Sequence, residues 1–275
     1  MSLEVAIVGR GKVGRALAAA LSPVDHRSGR AAARPLRAEI VIFAVRDGQL
    51  PEVVQRHSDL LEAEVVLHVA GAVGPEVLAP LRPAALGQWH PVLSFVDDQV
   101  EWAGAAAVMT GEQKALRAGR RLCGALGMTP VEAPDGIDLP LYHAALALSA
   151  NGMAALAASA ERLLGAAGVP APEAARVLGP LLASVARNVG RVGASGAMSG
   201  PVRRGDAATI ARHVQRLGAV APDELSTYRA SVEAQLAIAR RLGDASPDAL
   251  AAVRSASSDD DDAVSLEETD RGGEA

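Results

Sequence analysis

The chain has 275 residues, about half of them apolar, which is enough for about two domains with a sizeable core. Its net charge of −5 comes from residues 256–275, which hold eight acidic residues and one arginine, so the body is close to neutral. Nothing therefore favours nucleic acid or an anionic membrane as a partner. The single cysteine, Cys123, excludes an internal disulfide, and no Cys/His spacing indicates a metal site.

The chain begins with a predicted strand, a glycine loop and a helix. LEVAIV is a short β-branched run typical of a buried strand, and KVGRALAAALS has apolar residues at helical spacing. Between them, Gly9, Gly11 and Gly14 form the pattern G-x-G-x-x-G in a strand-to-helix turn, where a pyrophosphate can bind. We expect the first glycine to permit the turn, the second to admit the phosphates and the third to allow close packing. This loop, with Lys12 and Val13, predicts a dinucleotide site; the alternative is a tight turn with nothing bound.

The residues around the next strand predict which dinucleotide binds. That strand must be very short, because the chain reads SPVDHRSGRAAARPLR. Asp25 could bind the ribose 2′-hydroxyl of NAD, whereas Arg27, Ser28 and Arg30 suit the 2′-phosphate of NADP. We favour NADP over NAD as the cofactor. The alternative is that these arginines belong to a solvated loop that binds no cofactor. Three further predicted cofactor contacts follow the next long strand: Ala44, Val45 and Arg46.

Strands and helices then alternate to about Val131. Strands are predicted at 39–45 and 64–70 and, more weakly, in GQWHPV and AAAVMTG, with helices in GQLPEVVQRHSDLL and PEVLAPL. This alternation is typical of a Rossmann-like, doubly wound parallel sheet. Beyond the junction VEAPDGIDLP no strand is convincing, and five helices are predicted: 138–167, 172–192, 206–217, 223–242 and 247–254.

The predicted fold is therefore α/β in its first half and all-helical in its second. We expect a Rossmann-like NADP-binding domain at 1–135, a helical substrate and dimerisation domain at 136–254, and a disordered acidic tail at 255–275.

The first helix of the second half is unusually apolar. Residues 139–160 contain no Asp, Glu, Lys or Arg, and this length could span a bilayer. The stretch is mostly alanine and includes Pro140, His143 and Asn151, which weakens insertion. We therefore predict a buried helix, partly covered by a second subunit in a homodimer. No secretory signal precedes the first strand, which favours a cytoplasmic protein without membrane partners.

Two segments of the second half carry a resemblance to a known family. YHAALALSAN (142–151) and SGPVRRGDAATIARHV (199–214) resemble signatures of bacterial Rossmann-like proteins with a C-terminal helical domain of unknown function, and VLHVAGAVGPEVLAPL and HPVLSF fit the same pattern. The resemblance implies an NADP-dependent oxidoreductase, with a helical domain of the 6-phosphogluconate dehydrogenase C-terminal type. It is similar in architecture to ketopantoate reductase, pyrroline-5-carboxylate reductase and deazaflavin-dependent NADP reductases. The chain departs from the family at Arg46, where proline is usual.

The residues for proton transfer are predicted on the first helix of the second half. In related hydroxyacid dehydrogenases a lysine serves as the acid, with an asparagine one helical turn later; here Asn151 is present, but Ala147 replaces the lysine. We predict that His143 donates the proton and that Asn151 orients the substrate, at the cleft where the two domains meet. His90 and His68 are further candidates, each with a structural role as the alternative.

The segment GPVRRGD is interpreted in two ways. Asp206 is placed to cap the helix that follows it, and Arg203 or Arg204 could bind a substrate carboxylate or phosphate. The alternative is a capped helix with a solvated polar face, which we favour slightly.

Two functions are consistent with the sequence. The first is an NADP(H)-dependent reductase acting on a carbonyl or imine of a small anionic substrate. The second is a regulatory or sensor protein that binds NADP without turnover, which the missing lysine favours.

Overall fold

The computed structural model describes residues 3–28, 35–82 and 84–258. Arg30 and the acidic tail beyond residue 258 lie outside these residues. Contacts divide the chain into two compact units, Met1–Asn151 and Gly152–Ala275. This division lies within the long apolar helix, C-terminal to the predicted boundary at 135, which stays a prediction.

The first unit contains a seven-stranded sheet in the order β2-β1-β3-β4-β5-β6-β7. The strands are β1 (Val5–Val8), β2 (Asp25–Arg27), β3 (Leu36–Phe43), β4 (Leu61–His68), β5 (Ala85–Val92), β6 (Ala106–Gly111) and β7 (Thr129–Glu132). Strands β1 to β5 are parallel, and β2 has only three residues, as its sequence predicted. The pair β6 and β7 runs antiparallel to β5, and β7 was not predicted as a strand. The sheet is therefore mostly parallel, and the Rossmann-like prediction is confirmed.

Two apolar layers cover the sheet. Its helices are α1 (Lys12–Ala20), α2 (Leu50–His57) and α3 (Gln113–Leu126), with a 3-10 helix at Pro75–Leu81. Side chains alternate along each strand, so Ile42 joins one core with Leu17 and Trp89, whereas Phe43 joins the other with Leu50. Because β1, β3, β4 and β5 are parallel, their carboxyl ends lie at the same edge of the sheet.

From residue 139 to residue 258, where the described part ends, the regular secondary structure is helical, as predicted. It contains α4 (Leu139–Ala166), α5 (Ala171–Ala197), α6 (Pro201–Arg204), α7 (Ala207–Val220), α8 (Leu225–Leu242) and α9 (Pro247–Ser257). A third core joins α6 to α9, with Val202, Ile210, Leu236 and Val253 fully or almost fully buried. Asp206 caps α7 by accepting the Thr209 backbone N–H at 3.0 Å, which confirms the predicted cap.

Helix α4 differs from its prediction. We expected it to be buried, partly against a second subunit, but none of its residues is buried within the single chain. Among the residues that the structure describes, α4 is the one helix long and apolar enough to cross a membrane by length and composition, which is weak evidence for a membrane span.

Candidate functional site

The three loop glycines differ in how closely the surrounding chain approaches them. Gly9 has φ of +131°, and a Cβ there would overlap the carbonyl oxygen of Ala44. A Cβ at Gly14 would overlap the carbonyl oxygen of Gly9, so helix and loop approach as closely as glycine allows. A Cβ at Gly11 would meet nothing within 4 Å, so this backbone faces open space at the N-terminus of α1. The loop therefore fits a phosphate group.

A cavity of about 480 Å³ lies beside the glycine loop. Six of the predicted cofactor contacts line it: Gly9, Gly11, Ser28, Ala44, Val45 and Arg46. Five residues that the sequence did not single out also line it: Arg10, Gln49, Glu52, Val53 and Arg56. The predicted contacts Lys12, Val13 and Gly14 lie in the first turn of α1 and are not part of the lining. Polar and arginine side chains thus surround the space next to the loop.

Asp25 and Arg27, which the sequence offered as alternatives, bind each other. Arg27 Nε donates to both Asp25 carboxylate oxygens, at 2.9 and 2.8 Å, and Arg27 Nη1 donates to the Pro35 carbonyl oxygen at 3.1 Å. The hydrogen bond to Asp25 raises the pKa of Arg27. Arg27 does not line the cavity, although its neighbour Ser28 does. The guanidinium of Arg27 is therefore already bound to the Asp25 carboxylate in the protein alone.

A second cavity, of about 430 Å³, lies at the carboxyl end of β5. It contains all three predicted catalytic residues, His90, His143 and Asn151, together with the 91–95 segment and the first turns of α4. Asp138 positions α4 by accepting the Leu141 backbone N–H at 2.9 Å. His143 and Asn151 are two helical turns apart, about 12 Å along the axis, so they reach different parts of the cavity.

The rings of His90, Tyr142 and His143 form a cluster, and two of them, His90 and His143, line this cavity. His90 Nδ1 lies 2.9 Å from the Tyr142 hydroxyl, and the two rings meet edge to face at 5.7 Å. The rings of His90 and His143 are 6.0 Å apart. A Cβ at Gly71 would be 2.6 Å from His143 Cδ2 and 2.9 Å from His90 Nε2, so both rings reach the chain that follows β4. Sequence reasoning did not single out Tyr142 or Gly71.

Burial controls the charge of this cluster. Desolvation, followed by repulsion from His143, lowers the pKa of His90 to about 4. Desolvation raises the pKa of the Tyr142 hydroxyl to about 12. At neutral pH, His90 is therefore a neutral imidazole and Tyr142 a neutral phenol. His143 is exposed, so its ring is open to solvent and to ligands.

The remaining histidine candidate, His68, is a buried structural residue. Its Nε2 donates to the Gly74 carbonyl oxygen at 3.1 Å, and desolvation lowers its pKa to about 4. Gln88 on β5 holds the same segment by donating to the carbonyl oxygens of Ala70 and Gly71 at 2.6 and 3.2 Å. Together these bonds fix the chain between β4 and the next helix beside the His90 ring.

The segment GPVRRGD, which contains Arg203, belongs to the second unit. Arg203 donates to Asp244 at 2.5 Å and to the Met198 carbonyl oxygen at 2.7 Å, so it links α6 to neighbouring chain. This favours the structural interpretation for Arg203. Among the described residues, no group of three or more His, Cys, Asp or Glu side chains is placed to hold a metal ion.

The sheet order, the glycine loop and the helices that follow define a Rossmann-like protein with a helical C-terminal part. Residues 30–87 match the family model of a Rossmann-like domain, and residues 105–235 match a domain of unknown function, DUF2520. The chain is therefore a Rossmann-like protein that carries a DUF2520 domain, which confirms the resemblance inferred from its motifs. No curated protein matches the sequence closely enough to count as a relative.

Solved structures share this fold at low sequence identity. Protein TM1727 from Thermotoga maritima is 19% identical, with a TM-score of 0.67 over 86% of this chain and 98% of that chain. BF3122 from Bacteroides fragilis, provisionally named an NADP oxidoreductase, is 18% identical, with a TM-score of 0.66 over 85% and 98%. A pyrroline-5-carboxylate reductase from Coxiella burnetii is 15% identical, with a TM-score of 0.56 over 93% and 98%. These likenesses extend along most of the chain.

Proposed function

We propose that the protein is an NADP(H)-dependent oxidoreductase that reduces a carbonyl or imine of a small anionic substrate. The observation that carries this proposal is the meeting of His90, His143 and Asn151 around one cavity at the carboxyl end of β5. This is the edge of the sheet where the glycine loop follows β1, and it is where open α/β sheets bind ligands.

The cofactor residues support the choice of NADP. In the sheet order, β1 and β5 are three strand spacings apart, about 14 Å, so a dinucleotide lying along the edge can extend from the glycine loop towards His90. Ser28, Arg10 and Arg46 offer hydroxyl and guanidinium groups to a 2′-phosphate. BF3122, which shares the fold, is itself named for NADP. When bound, NADPH supplies the hydride.

The residues of the chain supply the remaining chemistry. His143 donates the proton to the atom that gains electrons, since imidazole is the side chain most often used for general acid catalysis. Asn151 binds and orients the other end of the substrate through its amide. The lysine of related dehydrogenases has no counterpart here, because Ala147 stands in its place and lines the same cavity.

A search for substrates tests this proposal. Purified full-length protein is incubated with NADPH and fractionated metabolite pools while absorbance of the reduced nicotinamide is followed. We expect oxidation of NADPH with fractions that contain small carbonyl or imine compounds bearing one negative charge. If NADPH binds in calorimetry but no fraction oxidises it, the alternative of a non-catalytic NADP sensor is favoured.

The apolar surface of the helical part supports a homodimer. On α4, Leu148 is 76% exposed, and on α5 a stripe at intervals of three or four residues is exposed: Val177, Leu181, Val185, Val189 and Val192. An exposed apolar stripe of this length on a helix is typical of a protein interface or a membrane contact. We favour a second copy of the chain as the partner, in a cytoplasmic protein, because α4 is rich in alanine and carries His143 and Asn151 among its apolar residues.

A further inference from the structure

The chain contains two tyrosines, and each binds the Nδ1 atom of a histidine. Tyr142 binds His90 at 2.9 Å in the candidate active site, and Tyr228 binds His213 at 2.7 Å between α8 and α7. The first pair joins α4 to the end of β5. His90 projects from the face of the strand opposite to Trp89, which is fully buried.

The hydrogen bond to Tyr142 leaves Nε2 as the nitrogen of His90 that can bind a ligand. Within the described residues, Nε2 makes no hydrogen bond, and a Cβ at Gly71 would lie 2.9 Å from it. His90 and His143 line the cavity together, and no carboxylate, lysine or arginine is part of that lining. A substrate in the cavity would therefore meet two imidazoles, the Asn151 amide and the hydroxyls of Ser94 and Ser149 as polar side-chain partners.

The hydroxyl of Tyr142 selects the tautomer of His90. The phenol keeps its proton at neutral pH and, among the residues described, has no hydrogen-bond partner except Nδ1. A half-buried O–H group is best satisfied when it donates to that nitrogen. Since His90 is neutral, its single proton then resides on Nε2. A neutral imidazole that donates its N–H to a substrate oxygen can polarise a carbonyl group, as in other active sites.

We propose that Tyr142 is a positioning residue that holds His90 as its Nε2–H tautomer, and that His90 donates this N–H to the oxygen of a substrate carbonyl. The inference rests on the proposed reductase function and narrows its substrates to aldehydes and ketones, because a protonated imine nitrogen has no lone pair to accept the bond. The carbonyl carbon receives the hydride, and the carbonyl oxygen takes the π electron pair and then the proton of His143. His143 becomes a neutral imidazole and regains a proton from solvent, while His90 keeps its own proton throughout.

Nitrogen NMR tests the tautomer without any substrate. In long-range ¹H–¹⁵N spectra of the labelled full-length protein at pH 7, we expect His90 to carry its proton on Nε2, with its signals assigned by their loss in His90→Gln. Tyr142→Phe removes the hydroxyl and should produce a mixture of tautomers. Tyr228→Phe is the matched control, and it should change His213 but not His90. A proton on Nδ1 in the unmodified protein, or an unchanged His90 in Tyr142→Phe, overturns the proposal.

Kinetics with NADPH test the catalytic consequence. The probes are a panel of small 2-oxo acids and a matching panel of cyclic imines that also carry one carboxylate. We expect turnover of oxo acids, a fall of about tenfold in kcat for Tyr142→Phe with KM changed less than twofold, and no change for Tyr228→Phe. Reduction of imines alone overturns this inference and leaves the reductase function standing. If neither panel is reduced, the proposed catalytic role of His90 is overturned. The substrate search then decides whether the protein is a reductase, and the NMR spectra decide the tautomer of His90.

Discussion

Asp25 and Arg27 form an ion pair on β2, two residues apart on the same side of the strand. The pair is partly exposed and stands next to Ser28, which lines the cavity beside the glycine loop. A carboxylate that shares the guanidinium competes with a phosphate for it. The two residues that suggest opposite cofactors in the sequence are thus coupled in the structure.

The first prediction concerns cofactor preference. If Arg27 and Ser28 hold the 2′-phosphate, Arg27→Ala should weaken NADPH binding about ten- to a hundredfold, because a hydrogen bond to a charged group contributes roughly 1.5–3 kcal/mol. Asp25→Asn should strengthen NADPH binding about two- to fivefold, since an exposed pair contributes up to about 1 kcal/mol. Titration calorimetry measures both, and NADH affinity should stay unchanged.

Asp98→Asn is the control for this comparison, since Asp98 also pairs with an exposed arginine, Arg15, at 3.1 Å. It should leave both affinities as they are. Equal affinities of the unmodified protein for NADPH and NADH would contradict the assignment, and a larger loss in Arg46→Ala than in Arg27→Ala would move the phosphate site to the residues after β3.

The second prediction concerns the proton donor. His143→Gln keeps much of the size of the side chain but cannot donate a proton as an acid, and general acid catalysis is worth about 10²–10⁴-fold. We expect kcat to fall by this order with NADPH affinity unchanged, and the histidine limb of the pH–rate profile to disappear. Unchanged turnover would make His143 a structural residue and leave His90 or a bound water as the donor.

The third prediction uses the close approach of Gly71 to both histidine rings. Gly71→Ala places a methyl group 2.6 Å from His143 Cδ2 and 2.9 Å from His90 Nε2, so the rings must move apart. We expect kcat to fall at least tenfold while the melting temperature changes by only a few degrees. Gly124→Ala, where a Cβ meets nothing within 4 Å, is the matched control and should keep full activity. Full activity in Gly71→Ala would show that the ring positions do not matter for turnover.

The fourth prediction concerns acid stability. The pKa values of His68 and His90 are lowered to about 4 from the usual 6.5, so the unfolded chain binds more protons than the folded chain between these values. The contribution of each histidine to the free energy of unfolding should therefore be complete above about pH 6.5. It should be lost as the pH drops towards 4, which lowers the free energy of unfolding by up to roughly 3 kcal/mol for each group. Urea denaturation at several pH values measures this, and His68→Gln should flatten the dependence. A free energy that stays constant from pH 7 to pH 4 would contradict the burial of neutral imidazoles.

The fifth prediction concerns assembly. Light scattering at micromolar concentration should give the mass of a dimer without detergent, and Leu181→Asp in the exposed stripe of α5 should give a monomer, because a buried unpaired charge opposes association. Val96→Asp, at an exposed valine outside these helices, should remain a dimer. A monomeric mass for the unmodified protein, or solubility only in detergent, would argue against the homodimer.

The sequence determined the fold class and most of the element order. Its signals were local: β-branched runs for β1, β3 and β4, glycines at fixed spacing before α1, and helical periodicity in the second half. Each depends on neighbours in the chain, which is why α1, the five longer helices of the second half and the cap at Asp206 could be predicted to within a few residues, whereas α3 and α6 were not predicted. β7 was missed because a four-residue strand with no buried side chain has no such pattern.

Only the tertiary structure decided the relations between distant residues. The direction of β6, the pairing of Asp25 with Arg27 and the exposure of α4 depend on which surfaces meet, and hydrophobic pattern alone does not specify this. The sequence named His90, His143 and Asn151 separately, since their residue types suit proton transfer. Their common cavity, and the contact of Tyr142 with His90 across 52 residues of chain, arise because β5 and α4 pack at the same edge of the sheet. Chemistry of this kind depends on distance in space, and distance in space is fixed by packing.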